Sequence, residues 1–410
     1  MGVGPGGPLG LPLAVEPRPR VPLPGQWTFW ADTMVGARPL GNVDVSSFYC
    51  VKRLSAFGHG NVTVNLPSGL DTQRMLTLWS WRLWAFYDGE PYWCGVPTGV
   101  ADQDGSAHVQ FTLIELPGYL TRRQWDYYPD RRYTQAEQTA IARDIAEPLA
   151  DVGVLVTIEP GFVVLRDRRY EYLEGGSRGQ LLINLAGVLQ GPEFRAEYRM
   201  TTAGRPLCTL RIAYPRVGSD ISGLGLSVPG AVVGYRAQWD SDQLRTRTFA
   251  VGDLPHDAGE DDVRPVVIAE MDPPNRELPR LDAVDDWPGT VLPSTLAERA
   301  KTAAQLQSVP GQQISGSPPE SFPPITSYGP GDTVTITAIT PLAPQGVEFA
   351  GRLQQIEVNA ATGIATWTVT LTNPPQRLRE SLAGGLVRLN TATSDAFRSG
   401  GLRIVPGDPR

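Results

Sequence analysis

The sequence predicts a β-rich α+β fold in which two small β-barrels flank an α+β insert. Three observations predict it. One pattern occurs twice, at residues 76–116 and 332–373: an alternating strand, a turn, a short aromatic strand closing on glycine, a longer strand, a Gly turn and a last strand. Glycine (44) and proline (38) are abundant while helical patterns are short, which favours strands and turns. Between the two copies the apolar period switches from that of strands to that of helices.

The copies align on Trp93-Cys94-Gly95 and Phe349-Ala350-Gly351. Phe111 and Trp367 both fall sixteen positions beyond those glycines, and the turn glycines Gly105 and Gly363 fall ten and twelve beyond. Gly95 and Gly351 are therefore expected at equivalent positions, with Trp93 and Phe349 beside them.

Residues 1–25 are Gly/Pro/Leu-rich and read as a flexible arm, since proline and glycine interrupt the apolar part and no charged segment precedes it. The first barrel is expected over 26–116. Order is expected to begin at Gln26-Trp27-Thr28-Phe29-Trp30, followed by strands at Phe48–Val51 and Asn61–Leu66 and a turn at Pro67-Ser68-Gly69. A strand from Leu76 carries Trp79, Trp81 and Leu83 on one face. Leu78, Trp84 and Phe86 suggest that its other face is covered too. Asp88-Gly89 is a hairpin turn signal.

The α+β insert is expected over 117–252. Thr134 with Glu137 makes a capping box for a helix bearing Ile141, Ile145 and Leu149, which Pro148 ends or kinks. Strands follow at 154–158 and 162–165. Ser177 with Gln180 caps a second helix bearing Leu181, Leu182, Leu185, Val188 and Leu189, which stops at Gly191-Pro192. Further strands are expected at 194–199, 207–213, 232–237 and 243–251. Residues 253–373 are expected to hold an acidic loop (253–262), a helix capped by Ser294 with Leu296, Ala300, Ala303 and Ala304 for packing, a Pro/Ser/Gly linker (310–324) and the second barrel. Residues 374–410 form a C-terminal extension of weak pattern.

With 410 residues the chain has room for two to four domains. A net charge of −7 argues against a general nucleic-acid binder. All but two of the 36 basic residues, Lys52 and Lys301, are arginine. Because they are scattered, a GC-rich genome explains them better than phosphate clamps do. Cys50, Cys94 and Cys208 are far apart and have only His59, His108 and His256 for company, so free buried thiols are expected rather than zinc. No apolar run approaches the length of a membrane span.

Each candidate chemistry has a plainer explanation. Trp79, Trp81, Trp84 and Trp93 beside Asp88 and Glu90 could form a sugar platform with an acid pair. Two carboxylates two residues apart on a tight hairpin are poorly placed to flank a glycosidic bond, so a barrel core is the better reading. Asp102, Asp104 and Gly105 lack the later ligands of a calcium loop. The acidic loop 253–262 reads as solvated. His59 is expected in a turn and His108 in a strand, and neither has a catalytic partner in the pattern. The glycines at 218, 223, 225 and 230 lack the strand-to-helix context of a dinucleotide site, and HExxH and P-loop motifs are absent. No residue is assigned a catalytic, cofactor-binding or metal-ligating role, and no cofactor is expected.

Four stretches stand out when taken in order: Tyr92-Trp93-Cys94-Gly95; Tyr235-Arg236-Ala237-Gln238-Trp239-Asp240 with Arg247-Thr248-Phe249-Ala250-Val251-Gly252; Leu296-Ala297-Glu298-Arg299-Ala300; and Gly331-Asp332-Thr333-Val334-Thr335-Ile336 leading to Phe349-Ala350-Gly351-Arg352-Leu353 and Trp367-Thr368-Val369-Thr370-Leu371. In this order they resemble the tail hub (minor tail, tail-tip baseplate hub) proteins of long-tailed bacteriophages. Together they span roughly residues 26–373. The resemblance implies two tail-tube-like barrels per chain and a homotrimeric, non-enzymatic virion protein. Three chains would present six barrels, adapting a sixfold tube to a threefold tip. Implied partners are the distal tail or tail-tube protein, the tape-measure protein and other tail-tip or receptor-binding proteins. DNA would pass through the channel without specific binding, and no stable membrane insertion is implied. The implied location is the virion tail tip, after assembly in the host cytoplasm. The rival reading is a secreted or surface carbohydrate-binding or glycoside-cleaving β protein. Trp79, Trp81 and Trp93 would line an open groove in that case and would be buried in the other.

Overall fold

The computed structural model describes residues 27–66, 72–102, 108–126, 130–172, 176–188, 190–228, 233–240, 244–252, 254, 263–270, 279–287, 293–306, 311–317, 324–340, 343–361, 364–372 and 403–406. The predicted arm, the 67–69 turn, Asp104, Gly105, Gly230, His256, Gly363, the acidic loop apart from Leu254 and the extension apart from 403–406 lie outside the described residues.

In chain order, the first part contributes β1 (Trp27–Thr33), β2 (Pro39–Asn42), β3 (Val45–Arg53), β4 (His59–Asn65), a short helix α1 (Thr72–Leu76), β5 (Trp81–Tyr87), β6 (Glu90–Asp102) and β7 (His108–Glu115). The middle part adds β8 (Asp130–Glu137), α2 (Gln138–Ala146), β9 (Leu155–Ile158), β10 (Leu165–Glu171), α3 (Arg178–Ala186), β11 (Glu193–Met200) and β12 (Pro206–Ala213). Then come β13 (Asp220–Val228), β14 (Val233–Asp240), β15 (Arg247–Val251), β16 (Val266–Glu270), β17 (Asp282–Asp286), α4 (Pro293–Leu306), β18 (Gly311–Ser317), β19 (Thr333–Thr340), β20 (Ala343–Ala361), β21 (Ile364–Thr372) and β22 (Arg403–Pro406).

The repeat seen in the sequence is a repeat of topology. Strands β3-β4-β7-β6-β5-β1 lie side by side in that order, and β14-β18-β21-β20-β19-β13 lie side by side in the corresponding order. The register matches residue by residue. Leu83 and Trp84 face Gly95 and Cys94, as Val334 and Thr335 face Gly351 and Ala350. Both middle strands slip register three residues beyond the glycine, at Thr98 and at Gln354. Leu113 faces Gly60 and Gly60 faces Cys50, as Leu371 faces Ile314 and Ile314 faces Ala237. Five strands match in this way; the sixth differs, because β1 is antiparallel to β5 whereas β13 is parallel to β19. Gly95 and Gly351 share a register, but Phe111 and Trp367 do not. Phe111 faces Val100, five residues past its glycine, and Ile356, five past the other, faces Val369. The β20–β21 hairpin is longer than β6–β7, so a count of sixteen along the chain falls two residues short of Val369.

One strand joins the two units. The first half of β20 pairs with β19; its second half pairs with β3, from Gln355 opposite Arg53 to Ala361 opposite Ser47. The first unit is strongly curled. A flat sheet would hold β1 and β3, five places apart, about 24 Å from each other at ~4.8 Å per step. Instead the Phe29 and Phe48 rings lie 5.1 Å apart, centroid to centroid. The strands wrap a core that contains Phe48, Val62, Trp81, Leu83, Trp93 and Phe111, joined by Ile356 and Val358 of β20.

Alternation along β5 explains why nearly all of it is buried. Trp81, Leu83 and Ala85 enter this core, while Trp84 and Phe86 enter a second one with Cys94, Val96, Ile141, Ile145, Leu149, Leu182, Leu185, Phe194 and Leu210. The outer face of the first unit is thus the platform on which α2, α3, β11 and β12 pack. In a third small core, Leu296, Ala300 and Ala304 of α4 meet Ala250 and Ala269 of β15 and β16.

Several local expectations are corrected. Residues 76–80 do not form a strand: Leu76 ends α1 and Trp79 sits at φ +65 in the turn before β5. Thr134 and Glu137 make no capping box. They lie in β8, whose partner β10 takes the backbone ladder, and Gln138 at the start of α2 donates its N–H to Val164 O (3.0 Å). Ser177 does cap α3, its hydroxyl accepting from the Gln180 N–H, and α3 ends at Ala186. Phe162 and Val163 precede β10 and are exposed. The last helix opens at Pro293, whose fixed φ suits a first turn, so Ser294 falls inside it. β18 lies within the predicted linker, paired with β14 and β21, and β22 lies within the extension, paired with β16. His59 belongs to β4.

Candidate assembly surface

The aromatic platform considered in the sequence is closed. Trp81, Trp84 and Trp93 are fully buried, so none of them can stack on a sugar. The Trp93 ring lies where a Cβ on Gly95 or Gly60 would be, which is why the Trp-Cys-Gly stretch needs its glycine. Trp79 is half-buried under the Arg122 guanidinium, 5.5 Å from the ring centroid. Asp88 (φ +51) and Gly89 (φ +82) form the tight β5–β6 turn, with Glu90 exposed beside it. Asp102 is exposed at the end of β6. His108 Nδ1 lies 2.8 Å from Asn65 Oδ1 in the β4–β7 ladder. Burial pushes the Cys50, Cys94 and Cys208 thiols up, away from the reactive thiolate. Among the described residues no three His, Cys, Asp or Glu side chains converge as a metal cluster.

A cavity of about 340 Å³ opens beside β1, lined by Trp27, Phe29, Trp30, Phe86, Met200 and Pro206. Its Asp32 is already committed. Arg82 donates to it from Nε (2.6 Å) and Nη2 (2.9 Å), Trp84 donates from Nε1 (3.2 Å), and Arg82 Nη1 donates to Val152 O (2.8 Å). That clamp ties β1 and β5 to the insert and takes the Asp32 carboxylate out of acid–base work.

A second buried polar group lies where the first unit meets β11. Glu115 accepts from the Gly58 N–H (2.8 Å) and the Tyr198 hydroxyl (2.8 Å), and burial holds its carboxyl above the usual range. The Lys52 ammonium sits 4.5 Å from the Tyr92 ring centroid, and burial pulls its pKa down against the opposing pull of Glu115. The folded-state pKa lies below the unfolded value, so between the two the unfolded chain binds more protons and stability rises with pH. Compared with Lys52→Met, the native chain should therefore gain stability as pH rises from neutral toward 10.5, in urea titrations at several pH values. Parallel pH profiles for the two proteins would contradict this.

Ion pairs lock the insert to the second unit. The Arg352 guanidinium donates to both Glu193 carboxylate oxygens, to Gly331 O (2.9 Å) and to Val217 O (2.7 Å). Beside it Asp332 accepts from Arg195 Nη1 (3.0 Å) and from the N–H groups of Ser219 (2.9 Å) and Gly329 (2.7 Å). Nothing in the local sequence pattern marks Arg352 or Glu193 as partners, since 159 residues separate them.

The seam between the units has a clear chemistry. Beyond its backbone ladder, the Tyr49 hydroxyl donates to Glu357 (3.2 Å) and Arg53 Nε to Gln355 (2.9 Å), while Ile356 and Val358 are fully buried. The matching stretch of the first unit is bare. Beyond Gly95 the β5 side of β6 has no strand partner among the described residues, and Val100, Ala101 and Asp102 are exposed. β14, the counterpart of β3, pairs only with β18 among the described strands.

No protein-family model matches the sequence, and no curated protein matches it. Solved structures do share the fold. The 43 kDa tail protein of prophage MuSo2 from Shewanella oneidensis is 12% identical, with a TM-score of 0.54 over 84% of this chain and 98% of that one. A tail protein from Neisseria meningitidis MC58 is 14% identical, with a TM-score of 0.51 over 84% of this chain and 96% of that one. The architecture is that of these tail proteins. At such identities the likeness concerns the fold.

Proposed function

We propose that this chain is a structural virion protein, a homotrimeric hub at the distal end of a bacteriophage tail. The observation that carries the reading is the repeated unit: five strands in the same order and register, twice in one chain. Each unit is a barrel module, and duplication without a duplicated active site suits a ring-forming part rather than an enzyme. Three copies present six modules, which lets a threefold tip continue a sixfold tube. The likeness in fold to two phage tail proteins supports the same reading.

On this reading the ring continues the distal tail or tail-tube protein above it. It meets the tape-measure protein and the remaining tail-tip or receptor-binding proteins, and it encloses the DNA exit path. A net charge of −7 suits DNA sliding past without sticking. The chain divides into arm (1–25), first barrel (26–116), insert (117–252), helix with second barrel (253–373) and extension (374–410), with β13 and β14 of the insert range lent to the second barrel by their pairing. The test is mass measurement of the purified protein with negative-stain imaging. A threefold ring with a central hole is expected; a stable monomer at high concentration would overturn the trimer.

A further inference from the structure

The cavity beside β1 lies where β2 stops covering that strand. Trp30, Ala31 and Asp32 face Asn42, Gly41 and Pro39, and the Phe29 carbonyl accepts from the Val43 N–H (3.0 Å). Trp27 and Thr28, nearer the start of β1, have no strand partner on that side among the described residues. The hollow is lined in part from the insert, by Met200 and Pro206 at the facing ends of β11 and β12.

We infer that this cavity is a binding site for a polyproline segment, and that its occupant is the arm of the same chain, Pro17–Pro24. The inference stands apart from the trimeric reading, because a single chain suffices for it.

The wall has the chemistry that reads such a segment. A polyproline helix has no internal hydrogen bonds and is recognised by grooves lined with aromatic rings. Trp81, Trp84 and Trp93 are fully buried, whereas Trp27 and Trp30 keep part of their surface open, and both line the cavity. The arm carries the complementary pattern, with prolines at 17, 19, 22 and 24. At about three residues per turn, Pro19 and Pro22 fall on one edge, Val21 and Pro24 on a second, and Arg20 on the third. Charge agrees with this placement. Asp44 lines the cavity, is exposed and forms no ion pair among the described residues, and Arg18 and Arg20 bring the opposite sign.

The tether selects the chain's own arm. Only Gly25 and Gln26 separate Pro24 from Trp27, which is itself part of the wall. Gly25 tolerates the positive φ that a reversal of the chain can require. Residues 17–24 reach about 25 Å at ~3.1 Å each, and β1 from Trp27 to Asp32 covers about 17 Å. The segment is therefore long enough to fold back along the whole of that wall. So short a tether holds it at an effective concentration on the order of millimolar, and a groove of modest intrinsic affinity then suffices.

Trypsin tests the inference in the full chain. The segment offers one tryptic bond, Arg20–Val21, since the bond after Arg18 precedes proline. A synthetic peptide of residues 10–26 gives the rate of cleavage without a cavity. In the native chain the same bond should be cut several-fold more slowly. Asp44→Arg, at an exposed position, and Trp30→Ala should each raise the rate several-fold toward that of the peptide, with thermal unfolding showing that the variant is folded. Asp44→Arg carries the test by itself if Trp30→Ala does not fold. Co-expressed with an excess of native chain, Asp44→Arg chains, told apart by mass, should still be cut fast. Cleavage of the native chain at the peptide rate would overturn the inference. So would protection that persists in the folded variants, which places the arm on another surface. Rescue of Asp44→Arg chains by native ones would place the arm in the cavity of a second copy and overturn the choice of occupant.

Discussion

Asp32→Ala should destabilise the folded chain by about 3–5 kcal/mol, the cost of leaving a buried charge without its partner. Arg82 and Asp32 are both almost completely buried, and the guanidinium fork meets the carboxylate at 2.6 and 2.9 Å. Removing the carboxylate strands the Arg82 charge with only the Val152 carbonyl, and the Trp84 indole N–H loses its acceptor. Urea unfolding followed by tryptophan fluorescence reads the change as a lowered midpoint. The replacement Asp32→Leu with Arg82→Met should recover much of the loss, because it removes both charges instead of orphaning one. A single Asp32→Ala variant within 1 kcal/mol of the native chain would mean that water reaches this clamp (about 0–1 kcal/mol is the worth of an exposed pair).

Arg352→Ala should be of the same order, about 3–5 kcal/mol, but with a different signature. The Arg352 side chain reaches Glu193, Gly331 O and Val217 O together. Its loss removes the Glu193 link between β11 and the second unit and leaves the bonds of Arg195 to Pro330 O and Asp332 to hold that contact. Unfolding should therefore split into two transitions, the earlier one belonging to the second unit. A single cooperative transition with an unchanged midpoint would show that the seam through β20 suffices to hold the halves together.

The duplication was readable in the sequence because it is written in short-range signals. Gly95 is required by the Trp93 ring above it, Asp88-Gly89 by its left-handed turn, and the alternation of Trp81, Leu83, Trp84 and Phe86 by two faces that are both covered. Ser177 and the small residues of α4 are equally local. What escaped is what depends on distant partners. The Thr134–Glu137 stretch carries a helix-start pattern, yet β10 claims it as a strand. Residues 311–317 look like linker until β14 and β21 pair on either side. Trp367 shares a count with Phe111 but not a register, because nothing local states how long a hairpin runs. The bare edge of β6 was invisible for the same reason: exposure there is defined by what covers Ile356 on the other copy of the pattern.

Strand β20 has a mechanical consequence. One continuous backbone of 19 residues serves β19 and β21 in one unit and β3 in the other. A pull that draws the two units apart along the strand direction loads the seven β20–β3 residue pairs side by side rather than one after another. Such a joint yields only when its ladder breaks as a whole. The two units of a chain should therefore move as one stiff body under load.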